Sequence, residues 1–204
     1  MVTVSDTILA GVLNDLAGPG WSVCDDFLCG SAWRDLAEEG RKLYGAGRFR
    51  AAGVGQGQAG TLAPGIRSDS ILWLEPDRLT TTQQACLDRF DELRLAVNRE
   101  LYLGLQGFEC HLAIYPPGSF YRKHLDQFRG VDARQLTVVF YLNDGWTEDN
   151  GGQLRIYLDE EGGYQDIQPQ GGRLVTFLSA RFYHEVLPAR RERMSLTGWF
   201  KRSS

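Results

Sequence analysis

The pattern of hydrophobic positions changes character about halfway along the chain. In the first half, apolar residues recur at helical spacing in three stretches, which predict helices near residues 8–16, 31–45 and 81–101. A Gly-Pro-Gly triplet at residues 18–20 predicts the end of the first helix. Thr81 and Gln84 predict a capping box at the start of the third.

The second half consists of short strand-like runs separated by glycine and proline turn signals. The runs are HLAIYPP, FYRKHLD, QLTVVFYLND, GGQLRIYL, RLVTFL, FYHEVLP and RMSLTGWF. This punctuation predicts a β-sandwich or a barrel, often a jelly roll. We expect an α+β fold in which a jelly-roll core, a double-stranded β-helix, is supported by N-terminal helices. We expect a single domain over residues 1–204, with helical support in 1–105 and the jelly-roll core in 106–204.

A glycine-rich segment separates the second and third predicted helices. Residues 53–69, GVGQGQAGTLAPGIRSD, contain few large apolar side chains, and a strand-like run, ILWLE, follows. A connection of this length inside a compact domain predicts either a mobile substrate loop or a long hairpin connection. The sequence alone leaves both alternatives open.

Composition and charge narrow the class of protein. With 43% apolar and 24% charged residues, the chain is typical of a soluble globular protein, and its net charge of −4 provides no basic field for nucleic acid. No apolar run approaches the ~20 residues of a membrane span, and the N-terminus lacks the pattern of a signal peptide. We therefore expect a cytoplasmic protein whose cysteines are free thiols: Cys24, Cys29, Cys86 and Cys110.

The candidate chemistry begins at His124 and Asp126, in a run that resembles a strand. Residues at i and i+2 of a strand point to the same face, and a buried histidine and carboxylate need a common partner such as a divalent cation. His184 is the natural third ligand. Two histidines and one carboxylate form the triad that binds non-heme Fe(II), although an H-x-D pair with a distant histidine also occurs by chance.

Arg193 strengthens this hypothesis, because an arginine on an otherwise apolar inward face of a strand needs an anion. By strand parity it shares that face with Ser195, Thr197 and Trp199. A guanidinium matches a carboxylate bidentately, and Ser195 or Thr197 could add a hydroxyl group. A small dicarboxylate with one end on the metal and the other on Arg193 would satisfy the buried charges, and 2-oxoglutarate is such a molecule.

These residues and their surroundings resemble the Fe(II)- and 2-oxoglutarate-dependent dioxygenases. Among them the chain is similar to the prolyl 4-hydroxylases, in the branch of oxygen-sensing prolyl hydroxylases and their bacterial relatives. The resemblance runs from about residue 20 to 202. It is carried by IRSDSILWL, YPPGSFYRKHLD, VVFYLNDGW, NGGQLRIY, GGRLVTFLS, FYHEVLP and RMSLTGWF, in this order.

The resemblance implies roles for individual residues. The iron ligands would be His124, Asp126 and His184. The 2-oxoglutarate pocket would be formed by Arg193, Tyr141, Tyr115, Thr197 and Trp199. Trp73 would line the substrate site, with Arg67 and Asp69 as a charged pair at the base of the substrate loop. His111 departs from the family pattern, where a methionine is expected, and is either a pocket-wall residue or a fourth ligand.

The implied reaction is hydroxylation of a prolyl residue at C4, using Fe(II), 2-oxoglutarate and O₂ and requiring ascorbate. The expected partner is a protein substrate, with elongation factor Tu as the first candidate by resemblance. The alternatives are a small-molecule hydroxylase and a non-enzymatic metal sensor on the same fold. A DNA-repair dioxygenase is disfavoured, because Trp199 stands where that group has a second arginine.

Overall fold

The computed structural model describes residues 4–28, 30–54, 61–127 and 133–202. Its helices are α1 (Val4–Ala17), α2 (Ala32–Gly45) and α3 (Thr81–Leu101). The strands of the first half are β1 (Trp21–Cys24), β2 (Arg50–Ala51), β3 (Gly53–Val54), β4 (Thr61–Leu62) and β5 (Ser70–Trp73). Those of the second half are β6 (Gly107–Tyr115), β7 (Tyr121–His124), β8 (Arg134–Tyr141), β9 (Leu154–Tyr157), β10 (Tyr164–Ile167), β11 (Leu174–Leu178), β12 (His184–Val186) and β13 (Arg193–Lys201).

The strands form two main antiparallel sheets that face each other. The larger sheet has seven strands in the order β1-β11-β8-β13-β6-β5-β2, and the smaller has four in the order β10-β9-β12-β7. Side chains from both sheets, such as Tyr115 and Val175 of the larger and Leu154 and Ile156 of the smaller, form one buried cluster. This arrangement confirms the predicted α+β jelly-roll fold, and the described strands do not close into a barrel.

The helices cover the other face of the larger sheet. Cys86, Phe90, Leu93 and Val97 form a stripe along α3 and are nearly fully buried. They pack in one cluster with Leu196 and other residues at even positions of β13. Because side chains alternate along a strand, the odd positions of β13, from 193 to 199, face the smaller sheet. This alternation places Arg193 between the two sheets. On the helical side of the larger sheet, truncating a core residue such as Phe90 to alanine would cost about 3–5 kcal/mol of stability.

Helix α3 begins one residue earlier than the capping box predicted at Thr81 and Gln84. The N-cap is Thr80, whose hydroxyl accepts a hydrogen bond from the Gln83 backbone amide at 3.2 Å, while the Gln83 side-chain oxygen accepts one from the Thr80 amide at 3.3 Å. The prediction was wrong because the T-x-x-Q spacing occurs twice in overlapping register. Glu39 of α2 selects the earlier one, since its carboxylate accepts hydrogen bonds from both capping side chains.

The edge strands and the glycine-rich segment agree only in part with the predictions. Strands β1 and β10 were not predicted; β1 pairs with β11 at the edge of the larger sheet, and β10 is an edge strand with two exposed residues among its four. Within residues 53–69, β3 pairs with β4, as in the hairpin alternative, and residues 55–60 lie outside the described ranges.

Three of the cysteines, Cys24, Cys86 and Cys110, are free thiols as predicted, and Cys29 lies outside the described residues. No helix in the described part of the chain is long and apolar enough to cross a membrane.

Candidate functional site

The three residues predicted as metal ligands come together at one end of the smaller sheet. His124 is the last residue of β7 and His184 the first of β12, and the two stand directly opposite each other in the ladder. Their ring centroids are 4.2 Å apart. Asp126 follows two residues after β7, and one potential ligand atom from each of the three residues lies within 4.8 Å of the others.

The local geometry of Asp126 differs from the prediction. Strand β7 ends at His124, so Asp126 is not brought to the site by strand alternation. Its carboxylate is instead fixed from the larger sheet, where the Thr137 hydroxyl donates a hydrogen bond to Oδ2 at 2.8 Å. Because a carboxylate only accepts, the Thr137 proton is used there, and the Ser179 hydroxyl donates in turn to Thr137 at 2.9 Å.

Hydrogen bonds set the tautomer of both histidines. Nδ1 of His124 lies 2.7 Å from the carbonyl oxygen of Arg122, and Nδ1 of His184 lies 3.1 Å from that of Phe182. A carbonyl oxygen can only accept, so in each neutral ring Nδ1 carries the proton and Nε2 keeps its lone pair. Both Nε2 atoms lie 3.5 Å from the Asp126 carboxylate. The free lone pairs therefore converge with the carboxylate.

Electrostatics keep His184 and Asp126 in the forms that bind a cation. Burial lowers the pKa of His184 to about 4, with His124 acting in the same direction, so the ring is neutral near pH 7. Burial alone would raise the pKa of Asp126, but the two histidines outweigh it and hold that pKa below its ordinary value. One anionic and two neutral ligands suit a divalent metal, whose bonds of about 2 Å place ligand atoms about 3 Å apart.

Thr137 was not predicted as a site residue, and its replacement provides a test. Thr137→Val keeps the side-chain shape but removes the hydrogen bond to Asp126. We expect the affinity for a divalent metal to fall about 10-fold, as is typical when a partner of a metal ligand is lost. Titration of metal-free protein with Co(II) measures this. The matched control is Thr176→Val, since the buried Thr176 hydroxyl on β11 has no hydrogen-bond partner in the described structure.

If Thr137→Val binds Co(II) as tightly as the unaltered protein, the hydroxyl does not help to position Asp126. The control variant is expected to keep both its metal affinity and its stability, because it breaks no hydrogen bond and leaves the packing volume unchanged.

The second part of the site surrounds Arg193, the first residue of β13. In the ladder Arg193 is paired with Tyr115 of β6, and Ser195 with Tyr141 of β8. The guanidinium carbon lies 4.9 Å from the ring centre of Tyr115 and 5.1 Å from that of Tyr141. Arg193 is only 1% exposed. Its Nε donates to the carbonyl oxygen of Gly152 at 2.9 Å.

Arg193 carries a buried charge that has no acidic partner among the described residues. Its Nη2 and the hydroxyl of Tyr141 are both buried without a hydrogen-bond partner there. An isolated buried ion is costly, by several kcal/mol after relaxation. The hydroxyls of Ser195 and Thr197 lie 3.3 Å apart on the same face of β13. The donor set therefore fits the carboxylate of a small anion.

An aromatic cluster lines another side of the site, with His111 at its centre. The His111 ring centre lies 5.0 Å from that of Trp73 and 5.5 Å from that of Trp199. Burial lowers the pKa of His111 to about 3, and the charges of Arg67 and Arg134 act in the same direction. His111 is absent from the cluster of potential metal ligands. This arrangement favours the pocket-wall alternative over a fourth ligand.

The lowered pKa of His111 predicts a pH dependence of stability. The folded chain keeps this ring neutral, while the unfolded chain protonates it below about pH 6.5, so stability is lost as the pH falls from about 6.5 towards 3. His111→Met should remove this contribution. We compare the free energies of unfolding of His111→Met and of the unaltered protein. As the pH falls from about 6 to about 4.5, the difference between them should shift in favour of the variant by up to about 1.4 kcal/mol per pH unit. Urea unfolding in the presence of a chelator measures this, and parallel pH profiles would contradict it.

Arg67 and Asp69 form the ion pair that the sequence predicted. The guanidinium binds the carboxylate bidentately, with Nε–Oδ1 at 2.8 Å and Nη2–Oδ2 at 2.6 Å. The side chain of Asp69 is fully buried, and Arg67 also donates to the carbonyl oxygen of Gly53 at 3.4 Å. The pair thus joins both ends of the glycine-rich segment. Its contact with a substrate stays a prediction.

Comparison with known proteins agrees with this geometry. Residues 110–201 match the 2OG-Fe(II) oxygenase superfamily. A prolyl-4-hydroxylase from Pseudomonas putida has 46% sequence identity and a TM-score of 0.87, with 96% of this chain and 100% of that chain covered. A Trichoplax adhaerens prolyl hydroxylase, solved with a peptide fragment of the oxygen degradation domain of hypoxia-inducible factor, has 31% identity and a TM-score of 0.83, covering 96% and 89%.

A curated human relative, Egl nine homolog 1, is 33% identical over 187 residues. The match covers 89% of this chain but only 43% of the human protein, so the chain spans less than half of that relative's length. The fold and the site are those of the 2OG-Fe(II) oxygenase superfamily. Within that superfamily, the chain belongs to the prolyl hydroxylase family.

Proposed function

We propose that this protein hydroxylates a prolyl residue of a protein substrate at C4, using Fe(II), 2-oxoglutarate and O₂. The observation that carries the proposal is the pairing of two sites on facing sheets: the His124, Asp126 and His184 cluster, and the buried Arg193 that has no acidic partner among the described residues. A metal sensor without a co-substrate would need the first but not the second.

In this proposal each residue has a defined task. Nε2 of each histidine and the Asp126 carboxylate hold the metal, with Thr137 and the carbonyl oxygens of Arg122 and Phe182 orienting them. The Arg193 guanidinium and the Tyr141 hydroxyl donate to the far carboxylate of 2-oxoglutarate. Bound Fe(II), with 2-oxoglutarate and O₂, supplies the oxidation that puts one oxygen atom on the prolyl ring and the other in succinate, with release of CO₂.

The remaining predicted residues shape the pocket. The Tyr115 and Trp199 rings exclude water around the co-substrate, and Thr197 offers its hydroxyl on the same face as Arg193. Trp73, Arg67 and Asp69 form the wall at which the substrate enters. We propose that all described elements work as one catalytic domain, since strands from both halves of the chain form the larger sheet.

For the substrate we propose a cytoplasmic protein, with elongation factor Tu as the first candidate. A peptide bound to the Trichoplax relative supports a protein substrate, while elongation factor Tu rests on the family resemblance alone. The three free cysteines of the described chain are typical of a reducing compartment. We include ascorbate in the proposal as the reductant that keeps the iron divalent. We also propose that the rate of hydroxylation responds to the oxygen concentration, which the KM for O₂ would measure.

The test uses purified elongation factor Tu, incubated in air with the protein, Fe(II), 2-oxoglutarate and ascorbate. Peptide mass spectrometry should find one proline that gains a single oxygen atom only when 2-oxoglutarate is present. An unmodified elongation factor Tu would contradict the choice of substrate. Hydroxylation of no protein, with succinate formed when free proline is added, would replace the proposal with a small-molecule hydroxylase.

A further inference from the structure

The side chain of Tyr121 stacks directly on the ring of the metal-ligand candidate His124. The ring centroids are 3.6 Å apart and the planes are inclined by only 16°. The two residues are three apart in β7, and strict strand alternation would place them on opposite faces. Something in the strand must therefore bring the two rings to the same side.

A β-bulge provides this change of direction. In the ladder with β12, His184 is opposite His124 and Val186 is opposite Tyr121, with a register shift between the two pairs. Two residues of β7 thus oppose the single residue Glu185 of β12. One extra residue in a strand restores the parity and re-aims the side chain beyond it. The bulge also contains Arg122, whose carbonyl oxygen accepts the hydrogen bond from His124 at 2.7 Å.

A cation also lies over the Tyr121 ring, and because the His124 ring already occupies one face at 3.6 Å, the cation covers the other. The guanidinium carbon of Arg67 lies 4.2 Å from the Tyr121 ring centre, at cation–π distance. Arg67 is itself held by the bidentate ion pair with Asp69. Guanidinium, phenol and imidazole therefore form a continuous column that ends at the candidate metal site, and we call Arg67, Tyr121 and His124 the stacked column.

Backbone hydrogen bonds tie the two chain segments of the column together. Arg67 and Tyr121 form an isolated antiparallel bridge. The amide of Ser68 donates to the carbonyl oxygen of Phe120 at 3.1 Å, and that of Arg122 donates to Ile66 at 2.8 Å. Residues 66–68, which follow the hairpin of β3 and β4, are thus held against the strand that carries His124.

We propose that Tyr121 is a positioning residue for His124, and that the stacked column couples the segment around Arg67 to the geometry of the metal site. The inference rests on the proposed function in one respect, that His124 binds the metal. The stack restricts rotation of the imidazole ring about its Cβ–Cγ bond, while Arg67 fixes the phenol from the other side. By linkage, any ligand that displaces Arg67 changes metal affinity, and the metal changes the affinity of that ligand by the same factor.

The experiment compares Tyr121→Leu with Tyr121→Phe in metal-free protein titrated with Co(II). Tyr121→Leu removes the ring, and we expect Co(II) affinity to fall about 10-fold, the lower end for loss of a partner of a metal ligand. At saturating Co(II) its visible absorption spectrum should also change, because His124 is less well oriented. Tyr121→Phe keeps the stack and should bind within about 2-fold of the unaltered protein with the same spectrum.

Two further variants separate positioning from general stability. Tyr164→Leu makes the same change at a half-exposed tyrosine of the smaller sheet, on β10, and should leave the spectrum unchanged. Arg67→Lys keeps the charge beside Asp69 but loses the planar group over Tyr121, so a smaller fall in Co(II) affinity, about 3-fold, is expected. This variant also tests the column if Tyr121→Leu does not fold.

The outcomes separate the inference from the proposed function. If the unaltered protein binds Co(II) while Tyr121→Leu and Arg67→Lys match its affinity and spectrum, the inference is wrong and the proposed function stands. If the unaltered protein does not bind Co(II), or if binding survives loss of His124 and Asp126, both are overturned. None of these readouts depends on knowing the protein substrate.

Discussion

Asp126→Ala is expected to abolish metal binding and, with it, 2-oxoglutarate turnover. The carboxylate supplies the single negative charge of the candidate centre and lies 3.5 Å from Nε2 of both histidines. Without it, two neutral imidazoles remain, which bind a divalent cation weakly. We expect a loss of affinity larger than the 10–100-fold typical of residues that only support a ligand. Calorimetric titration of metal-free protein with Co(II) or Mn(II) measures the change.

The control for this variant is Asp166→Ala. Asp166 lies on β10 of the smaller sheet and pairs with Arg155 at 2.7 Å in a partly exposed ion pair, so its loss should cost less than about 1 kcal/mol of stability. Its metal affinity should equal that of the unaltered protein. If hydroxylation persists in Asp126→Ala, Asp126 is not a metal ligand, and the proposed triad is wrong.

Arg193→Met is expected to raise the concentration of 2-oxoglutarate that is needed for turnover. Loss of one partner of a buried charge pair costs about 2–5 kcal/mol, and even about 3 kcal/mol corresponds to a more than 100-fold higher KM. Tyr141→Phe removes one hydrogen bond to the same carboxylate, worth about 1.5–3 kcal/mol, so a KM at least about 10-fold higher is expected there. Kinetics of succinate formation at varied 2-oxoglutarate concentration give both values.

The stability of the ligand-free protein provides the second readout for Arg193. Because its charge has no acidic partner among the described residues, replacing it with an apolar side chain of similar length should not destabilise the fold. In the metal-loaded protein, 2-oxoglutarate should raise the melting temperature, whereas Arg193→Met should lose this shift. An unchanged KM in this variant would show that another group binds the far carboxylate.

The sequence predicted the overall fold and the candidate ligands, because both depend on local alternation and on residue chemistry. Turn signals separate most strands of the second half, so seven of them were predicted at about the right places. His124, Asp126, His184 and Arg193 stood out as charged or metal-binding side chains in or beside predicted strands. The structure brings the first three together. It leaves the fourth buried without an acidic partner in the described chain.

The parts that were not predicted depend on register and on long-range contacts. The sequence of β7 does not reveal the bulge, so regular strand alternation would predict Tyr121 and His124 on opposite faces of the sheet. In the sequence, Thr137 resembles any β-branched strand residue. Its role becomes visible only in the fold, where its hydroxyl contacts Asp126. The placement of Asp126 by strand parity reached the right residue for an incomplete reason, since β7 ends at His124.

The choice between overlapping helix caps was equally non-local. Thr80 and Thr81 offer the same spacing to a glutamine, and only the contact with Glu39 of α2 distinguishes them. Edge strands such as β10 carry too few buried residues to show alternation, and they form because a neighbouring strand offers free backbone groups.

The most direct test of the account is mass spectrometry of peptides from a host-cell lysate treated with the Fe(II)-loaded protein in air. The account predicts at least one proline that gains an oxygen atom when 2-oxoglutarate is added, and that stays unmodified with the His124→Ala variant. Modification that is independent of 2-oxoglutarate, or that persists in His124→Ala, would contradict it. So would a lysate in which no proline of any protein is modified.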